Sequence, residues 1–318
     1  MTTKNKLLTL LIVSSGAAAS IAAINQGIKI SSTSKNILHI PESLCYNWHL
    51  GNIHYTKTGT GAPVLLVHDL TAASSSYEWH RLVPELAKNH TVYTIDLLGC
   101  GRSEKPNMTY TNYLYVELIS DFIKNIIGHR TDVIATGAST PLVIMACSQN
   151  ADLFNRLLFV NPDSLLSCSQ VPTKHSKILK CVLDMPLIGT LLYHINMRRP
   201  LLSERISRDY YCNPYSVKIA DIDAYQEAAH LGASPKSIYS SITCNYVKCN
   251  IVRALKKIDN SIYLVGGGAI PEMEDVMEEY KIYNAAIESA ILPEAKHLPQ
   301  LENPADLCQI INTFFANF

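Results

Sequence analysis

The stretch Thr131–Cys147, TDVIATGASTPLVIMAC, decides how the rest of the chain is read. It opens with a short β-type run (Val133, Ile134), turns at Gly137-Ala138-Ser139, and continues as an apolar helix through Leu142, Val143, Ile144, Met145 and Ala146. A serine at the tip of a strand–turn–helix is the arrangement of a nucleophile elbow. The tight turn lifts Oγ clear of the sheet, and small residues two positions away on either side let strand and helix approach. The upstream small residue is Gly137, whereas the downstream position holds Pro141, so the motif is G-x-S-x-P. Proline is compatible with the first helical turn, whose N–H groups have no intrahelical acceptor. Alone the tripeptide is an ordinary turn signal, and its meaning depends on its surroundings.

Upstream, YNWHLGNIHYTKTGTGAPVLLVHDL predicts two strands joined at Gly51-Asn52 and then a buried strand over 63–68. A helix is expected over SYEWHRLVPELAKNH, with Trp79, Leu82, Val83 and Leu86 at helical spacing, followed by a strand over 91–96. In DLLGCGRSEKP, Gly99 and Gly101 fit positive-φ turn positions, with Asp96 and Arg102 bonding locally. A second amphipathic helix near 113–127 leads into the elbow. Strands alternating with helices imply an α/β fold, a mostly parallel central sheet flanked by helices.

The ordered set IHY, LLVHDL, SSYEW, DLLGCGRSEKP, GAS and KHLPQLENP resembles the α/β-hydrolase superfamily in its single-domain form, over about 45–318. The resemblance implies an α/β-hydrolase fold with Ser139 as nucleophile. It also implies an oxyanion hole built from the backbone N–H groups of Leu70 and Thr140, since rigid donors suit a developing negative charge. Asp69 stands where the family has glycine, and is expected to face solvent or accept a bond from the following turn. His297, between the strand ESAIL and LPQLENP, matches the family's catalytic histidine, which takes the serine proton and returns it to the leaving group.

The third member is missing from its usual place. The family's acid position falls on Ala269 in GGGAIPEMED, and no carboxylate precedes Glu272. Some members carry the acid one strand earlier, where RLLFVNPDS offers Asn161 and Asp163. Asp163 is the provisional orienter of the imidazole, with Asn161 and Glu272 as rivals and a Ser–His dyad also open. Residues 165–257 occupy the position of a helical lid; Leu187, Leu191, Leu192 and Ile195 mark one amphipathic helix in it. Its tyrosines and arginines fit packing and a solvated face.

The formal net charge of zero, with no basic block, argues against a nucleic-acid partner. Nine scattered cysteines lack zinc-type pairing and fit free thiols, which favours a reducing compartment for the globular part. Near the N-terminus, Lys4 and Lys6 precede the uncharged run Leu7–Asn25, roughly 27 Å of helix. It fits a single membrane anchor over residues 1–28, or a signal peptide cleaved on secretion; residues 29–44 have linker composition. The expected function is a membrane-associated serine hydrolase, with its domain on the cytoplasmic side. It would cleave an ester, or less readily an amide or thioester, with a hydrophobic acyl part, using no cofactor or metal. A non-catalytic member binding a ligand or partner through the lid, and lyase or cofactor-free peroxidase chemistry on the same fold, are the alternatives.

Overall fold

The structure, a computed structural model, describes residues 3–316, with side chains described from Ser15 onward. The first eight side chains of the apolar run Leu7–Asn25 therefore lie outside the described residues. The longer helices are labelled in chain order: α1 Thr3–Thr33, α2 Asn112–Phe122, α3 Thr140–Gln149, α4 Lys174–Asp184, α5 Ile188–Asn196, α6 Arg199–Arg205, α7 Ile219–His230, α8 Pro235–Thr243, α9 Met273–Tyr283 and α10 Pro304–Ala316. The strands are β1 Leu44–Trp48, β2 Gly51–Thr58, β3 Ala62–Val67, β4 His90–Ile95, β5 Thr131–Thr136, β6 Phe154–Val160, β7 Ile262–Gly267 and β8 Glu288–Leu292. They form one eight-stranded sheet in the order β1-β2-β4-β3-β5-β6-β7-β8. β1 and β2 pair antiparallel, as do β2 and β4, and the other neighbours are parallel.

The central strands are near-continuous apolar runs because helices cover both faces. Val64, Leu66, Ile134, Leu158 and Val265 point into one core with Trp79, Leu86 and Ile311. Leu65, Val67, Val133, Leu157 and Leu264 point into the other with Phe122, Val143 and Tyr280. From β3 the chain crosses to β4 on one side and later to β5 on the other. The strand order therefore diverges between β3 and β5, and the crevice beyond their carboxyl ends is where ligands collect in open α/β sheets.

Local expectations hold with shifts that have physical causes. The hairpin turn is His49-Leu50, not Gly51-Asn52, because Trp48 pairs with Gly51. The helix expected after residue 75 is two short pieces, Ser76–Trp79 and Val83–Leu86; Pro84 lacks the N–H needed to bridge them. Gly99 and Gly101 have φ of +86° and +47°, and a Cβ on Gly101 would meet the Asp96 carboxylate at 2.4 Å. That carboxylate accepts from the Ser76 and Arg102 N–H groups. All nine cysteines are free thiols, with Cys147 and Cys308 buried.

The stretch 29–44, expected as a linker, is instead helical to Thr33 and fastened to the helical insertion between β6 and β7. Lys29 Nζ donates to Gly232 O, Lys35 pairs with Asp223, and the Ile37 and Leu38 N–H groups donate to Glu227. Leu38 is buried against Ala224 and Ala228, so the polar composition that suggested a linker serves as a set of clasps. No single helix among the described residues is long and apolar enough to cross a membrane.

A second clasp joins the insertion to the core. The Asp221 carboxylate pairs with Arg81 (2.7 Å) and accepts from Tyr77 (3.1 Å) and Tyr211 (2.9 Å), with Asp221 fully buried. Removing one partner of a buried, fully bonded pair strands the other charge. Asp221→Ala is expected to lower unfolding free energy by about 3–5 kcal/mol in urea denaturation, whereas the exposed Glu204→Ala should change it by less than about 1 kcal/mol.

Candidate active site

The site is assembled at the ends of β3 and β5. At the end of β5 the positive-φ turn residue is Gly137, with φ +55°. Ser139 lies beyond the turn, at φ −80° and ψ −20°, leading directly into α3. It is fully buried, and its Oγ donates to the His68 carbonyl oxygen at 2.6 Å. The expectation that Ser139 occupies the tip is therefore corrected: its hydroxyl proton is committed to backbone and not to His297. The small residues flanking the tip are Ala135 and Ser139, so the operative frame is A-T-G-A-S, with Gly137 in the middle.

Asp69 fills the space that a side chain at the tip would take. A Cβ built on Gly137 would lie 2.3 Å from Asp69 Oδ1 and 2.7 Å from its Cγ. Oδ1 accepts from Leu70 N–H and from Ala138 N–H, both at 2.8 Å. These two donors converge on one point. The Leu70 N–H is one of them, whereas the Thr140 N–H, expected as the second, is spent on Gly137 O, and the N–H that joins Leu70 is that of Ala138. Asp69 keeps partial exposure, and its Oδ2 makes no hydrogen bond among the described residues.

Burial and neighbouring polar groups set the electrostatics around this carboxylate. Burial, reinforced by the charge of Asp163, pushes Asp69 up to about 6 despite its two N–H donors. Glu78 is fully buried; Oε2 accepts from Asp69 N–H (3.0 Å) and Oε1 from Tyr225 OH (2.9 Å). Burial, then the charge of Asp69, pushes Glu78 up to about 8. Tyr210 lies close enough that Asp69 is, after burial, the main cause raising its phenol above the usual range. His68 is locked beneath: Nε2 accepts from Leu97 N–H (3.0 Å), leaving Nδ1–H to donate to the Asp69 carbonyl (2.6 Å).

His297 stands on the loop after β8. Its N–H donates to Tyr210 O, and its ring packs against the Tyr210 ring with centroids 5.9 Å apart. Desolvation, then Lys296, holds the exposed imidazole below its usual value, which favours the neutral base. None of the expected acids bonds to it. Asp163 is paired with Lys248 at 2.5 Å. Asn161, at φ +48°, donates to Lys296 O (2.8 Å) and accepts from Gly267 N–H (2.7 Å), so it braces the histidine loop through backbone. Glu272 is exposed at the start of α9 with φ +63°. Ala269, at the family's acid position, donates its N–H to Ala295 O.

Asp69, Gly137, Glu78, Tyr210 and Tyr225 are thus the residues that sequence reasoning missed or underweighted. The available signal was the aspartate in place of glycine after LLVH. Away from the site, His49, Glu117 and Asp121 bring candidate metal-ligand atoms within 4.8 Å of one another on the surface. Asp121 there also accepts from Trp48 Nε1.

Residues 64–310 match the alpha/beta hydrolase family. The chain belongs to that family. A soluble epoxide hydrolase from a Corynebacterium species is 22% identical over 276 residues, covering 83% of this chain and 93% of the relative. A 2-hydroxy-6-oxo-6-(2'-aminophenyl)hexa-2,4-dienoic acid hydrolase from Metapseudomonas resinovorans is 38% identical over 71 residues, only 22% of this chain and 24% of that enzyme. Among solved structures, the epoxide hydrolase CorEH superposes with a TM-score of 0.71 at 19% identity, covering 86% of this chain and 98% of that one. These relatives of the chain are hydrolytic enzymes by name, and the structural likeness establishes the shared α/β-hydrolase fold.

Two expectations follow. The raised Asp69 and Glu78 carboxyls bind protons more tightly folded than unfolded, so their contribution to stability is fully present below their ordinary values near 4. It is lost as pH rises through about 6 and then about 8. Relative to wild type, Asp69→Asn should therefore gain stability between pH 4 and 6, and Glu78→Gln between pH 4.5 and 8, read as urea midpoints across that range. Separately, Gly137→Ala should lose about 1–3 kcal/mol, and a double-mutant cycle with Asp69→Gly should show coupling because the alanine methyl collides with the carboxylate.

Proposed function

We propose that this chain is a hydrolase that works from the Asp69 carboxylate instead of a serine, opening a small strained electrophile, an epoxide in the first instance. The carrying observation is that two converging backbone N–H groups hold one carboxylate oxygen of Asp69 while the other makes no hydrogen bond among the described residues. A carboxylate so held is a nucleophile whose unbonded oxygen is available to attack. The full-length likeness to a soluble epoxide hydrolase supports the substrate class.

In this reading Asp69 Oδ2 attacks an epoxide carbon, the ring C–O bond breaks, and the leaving alkoxide takes the Tyr210 phenolic proton. The product is an aspartyl ester and a tyrosinate. Neutral His297 then takes a proton from water as that water attacks the ester carbonyl carbon. The oxyanion forms on Oδ1, where the Leu70 and Ala138 N–H groups already point, so the donors need no reorganisation. Collapse releases the diol, whose new hydroxyl takes the proton of the transient carboxylic acid. The imidazolium returns its proton to the tyrosinate, and Asp69 is regenerated carrying one oxygen from water.

A second reading, a non-catalytic binding member, is favoured by the absence of any carboxylate bonded to His297 among the described residues. Turnover of aryl and alkyl epoxides in ¹⁸O-water separates the two. On the catalytic reading, a single turnover should give diol with unlabelled oxygen from Asp69, and repeated turnovers should place ¹⁸O in the Asp69 peptide. Asp69→Ala should abolish turnover, Tyr210→Phe and His297→Gln should each cost about 10²–10⁴-fold, and Ser139→Ala should leave the rate within about twofold. No turnover by folded wild type across epoxides, haloalkanes and p-nitrophenyl esters would establish the binding reading. Fluorophosphonate labelling of Ser139 would restore the serine.

A further inference from the structure

α5 leaves apolar side chains at its surface. Of the residues expected to form its packed stripe, Ile195 is 45% exposed and Leu187, Leu191 and Leu192 are half-buried, and the neighbouring Ile188 is 52% exposed. Its polar His194 is instead buried together with Tyr193, the two stacking on and beside His230. The preceding α4 continues the surface, with Ile178 66% and Leu179 44% exposed, and Met185 43% exposed at the turn between them. Taken together the two helices have the length and apolar composition of a span, but they bend by 101° at that turn, a shape that suits a pair lying along a surface.

Two observations identify the surface. Exposed Lys174, Lys177 and Arg198 lie on the same segments as the exposed aliphatics, a pattern of apolar surface edged with cations that complements an anionic lipid face. The second is α1. From its C-terminal end backward, Ser32 contacts Gln226, Lys29 reaches Gly232 and Asn25 donates to Leu187 O, at the α4–α5 turn. The residues before Asn25 continue α1 beyond that contact, and from Ser15 to Ile24 most of them are exposed. Ile24, 52% exposed, adjoins the same corner.

We infer that the α4–α5 face is a membrane-docking surface that lies on an anionic bilayer, next to the point where α1 leaves the domain. A large exposed apolar ridge is a costly feature unless something covers it. The basic rim makes lipid, and not a second copy of this chain, the complementary partner. This contact is separate from any hold that α1 itself exerts, and it does not depend on the chemistry of Asp69.

The test uses the full chain with Cys45 and Cys212 changed to serine, so that exposed Cys181 on α4 carries an environment-sensitive fluorophore. The chain is reconstituted with vesicles of phosphatidylcholine containing phosphatidylglycerol and lipid-borne nitroxide quencher. Docking predicts a blue shift and loss of most Cys181 fluorescence, reversed by Ile188→Asp with Ile195→Asp. The control Ile282→Asp, on exposed α9, should leave the loss intact. Unquenched Cys181 on protein that still floats with the vesicles would mean α1 alone binds, overturning the inference. So would quenching unaffected by the double substitution in a protein of unchanged melting temperature, or self-association without quenching that the double substitution abolishes.

Discussion

One carboxylate oxygen held by two backbone N–H groups ties this structure together. Leu70 and Ala138 belong to loops leaving different strands, β3 and β5, and the Asp69 oxygen at 2.8 Å from both fixes their separation. That bond exists only because residue 137 is glycine, since any Cβ there would collide with the carboxylate. The pairing of Asp69 with Gly137 is thus a single steric unit. Its charge is the costly part: burial in a low-dielectric pocket beside Glu78 and near Asp163 opposes ionisation, and two charge-assisted donors offset only part of that cost.

Other carboxylates tie the segments around this site together. Glu78 links Asp69 N–H to the phenol of Tyr225 on α7, so the helical insertion and the β3 loop share one acid. Glu302 does the same for the opposite wall, accepting from Lys296 N–H with one oxygen and from Cys212 and Asn213 N–H with the other. Asp221 and Glu227 fasten the insertion to the core and to the chain after α1. The loop that carries His297 is held beside Tyr210 by Glu302, which accepts from Lys296 N–H, by Asn161, which donates to Lys296 O, and by the His297 N–H bond to Tyr210 O.

That pattern explains what was legible from sequence and what was not. Short apolar runs and turn glycines marked the sheet, because burial on both faces leaves a near-continuous apolar imprint on each central strand. The loops that hold Leu70 and His297 were legible for the same reason, since each follows a strand, β3 ending at Val67 and β8 at Leu292. The elbow frame was not, because Gly137 and Ser139 are both small and positive φ leaves no mark distinguishing G-x-S-x-P from A-x-G-x-S. Nor was the environment of Asp69, whose decisive neighbour, Ala138, is 69 positions away and meets it only across two strands. Local chemistry predicted half of its bonding, the Leu70 N–H of the next turn, and could not predict the other half.

The exchange between positions 69 and 137 bears on how function is carried over from motif matches. A reactive group is defined by where its atoms sit relative to the oxyanion donors, not by which residue number supplies them. The backbone donors here converge on one point, and a side chain can reach that point from the elbow tip or from the loop after β3. Glycine at the tip closes the first route and opens the second. A scan for a nucleophile at the elbow would find glycine and read loss of function, while a scan for any nearby serine would choose Ser139, whose hydroxyl is bonded to His68 O. Both scans read position as role. The site keeps a converging donor pair, a carboxylate atom in its grasp and a neutral imidazole on the adjoining loop, and those relations are the ones from which chemistry can be argued.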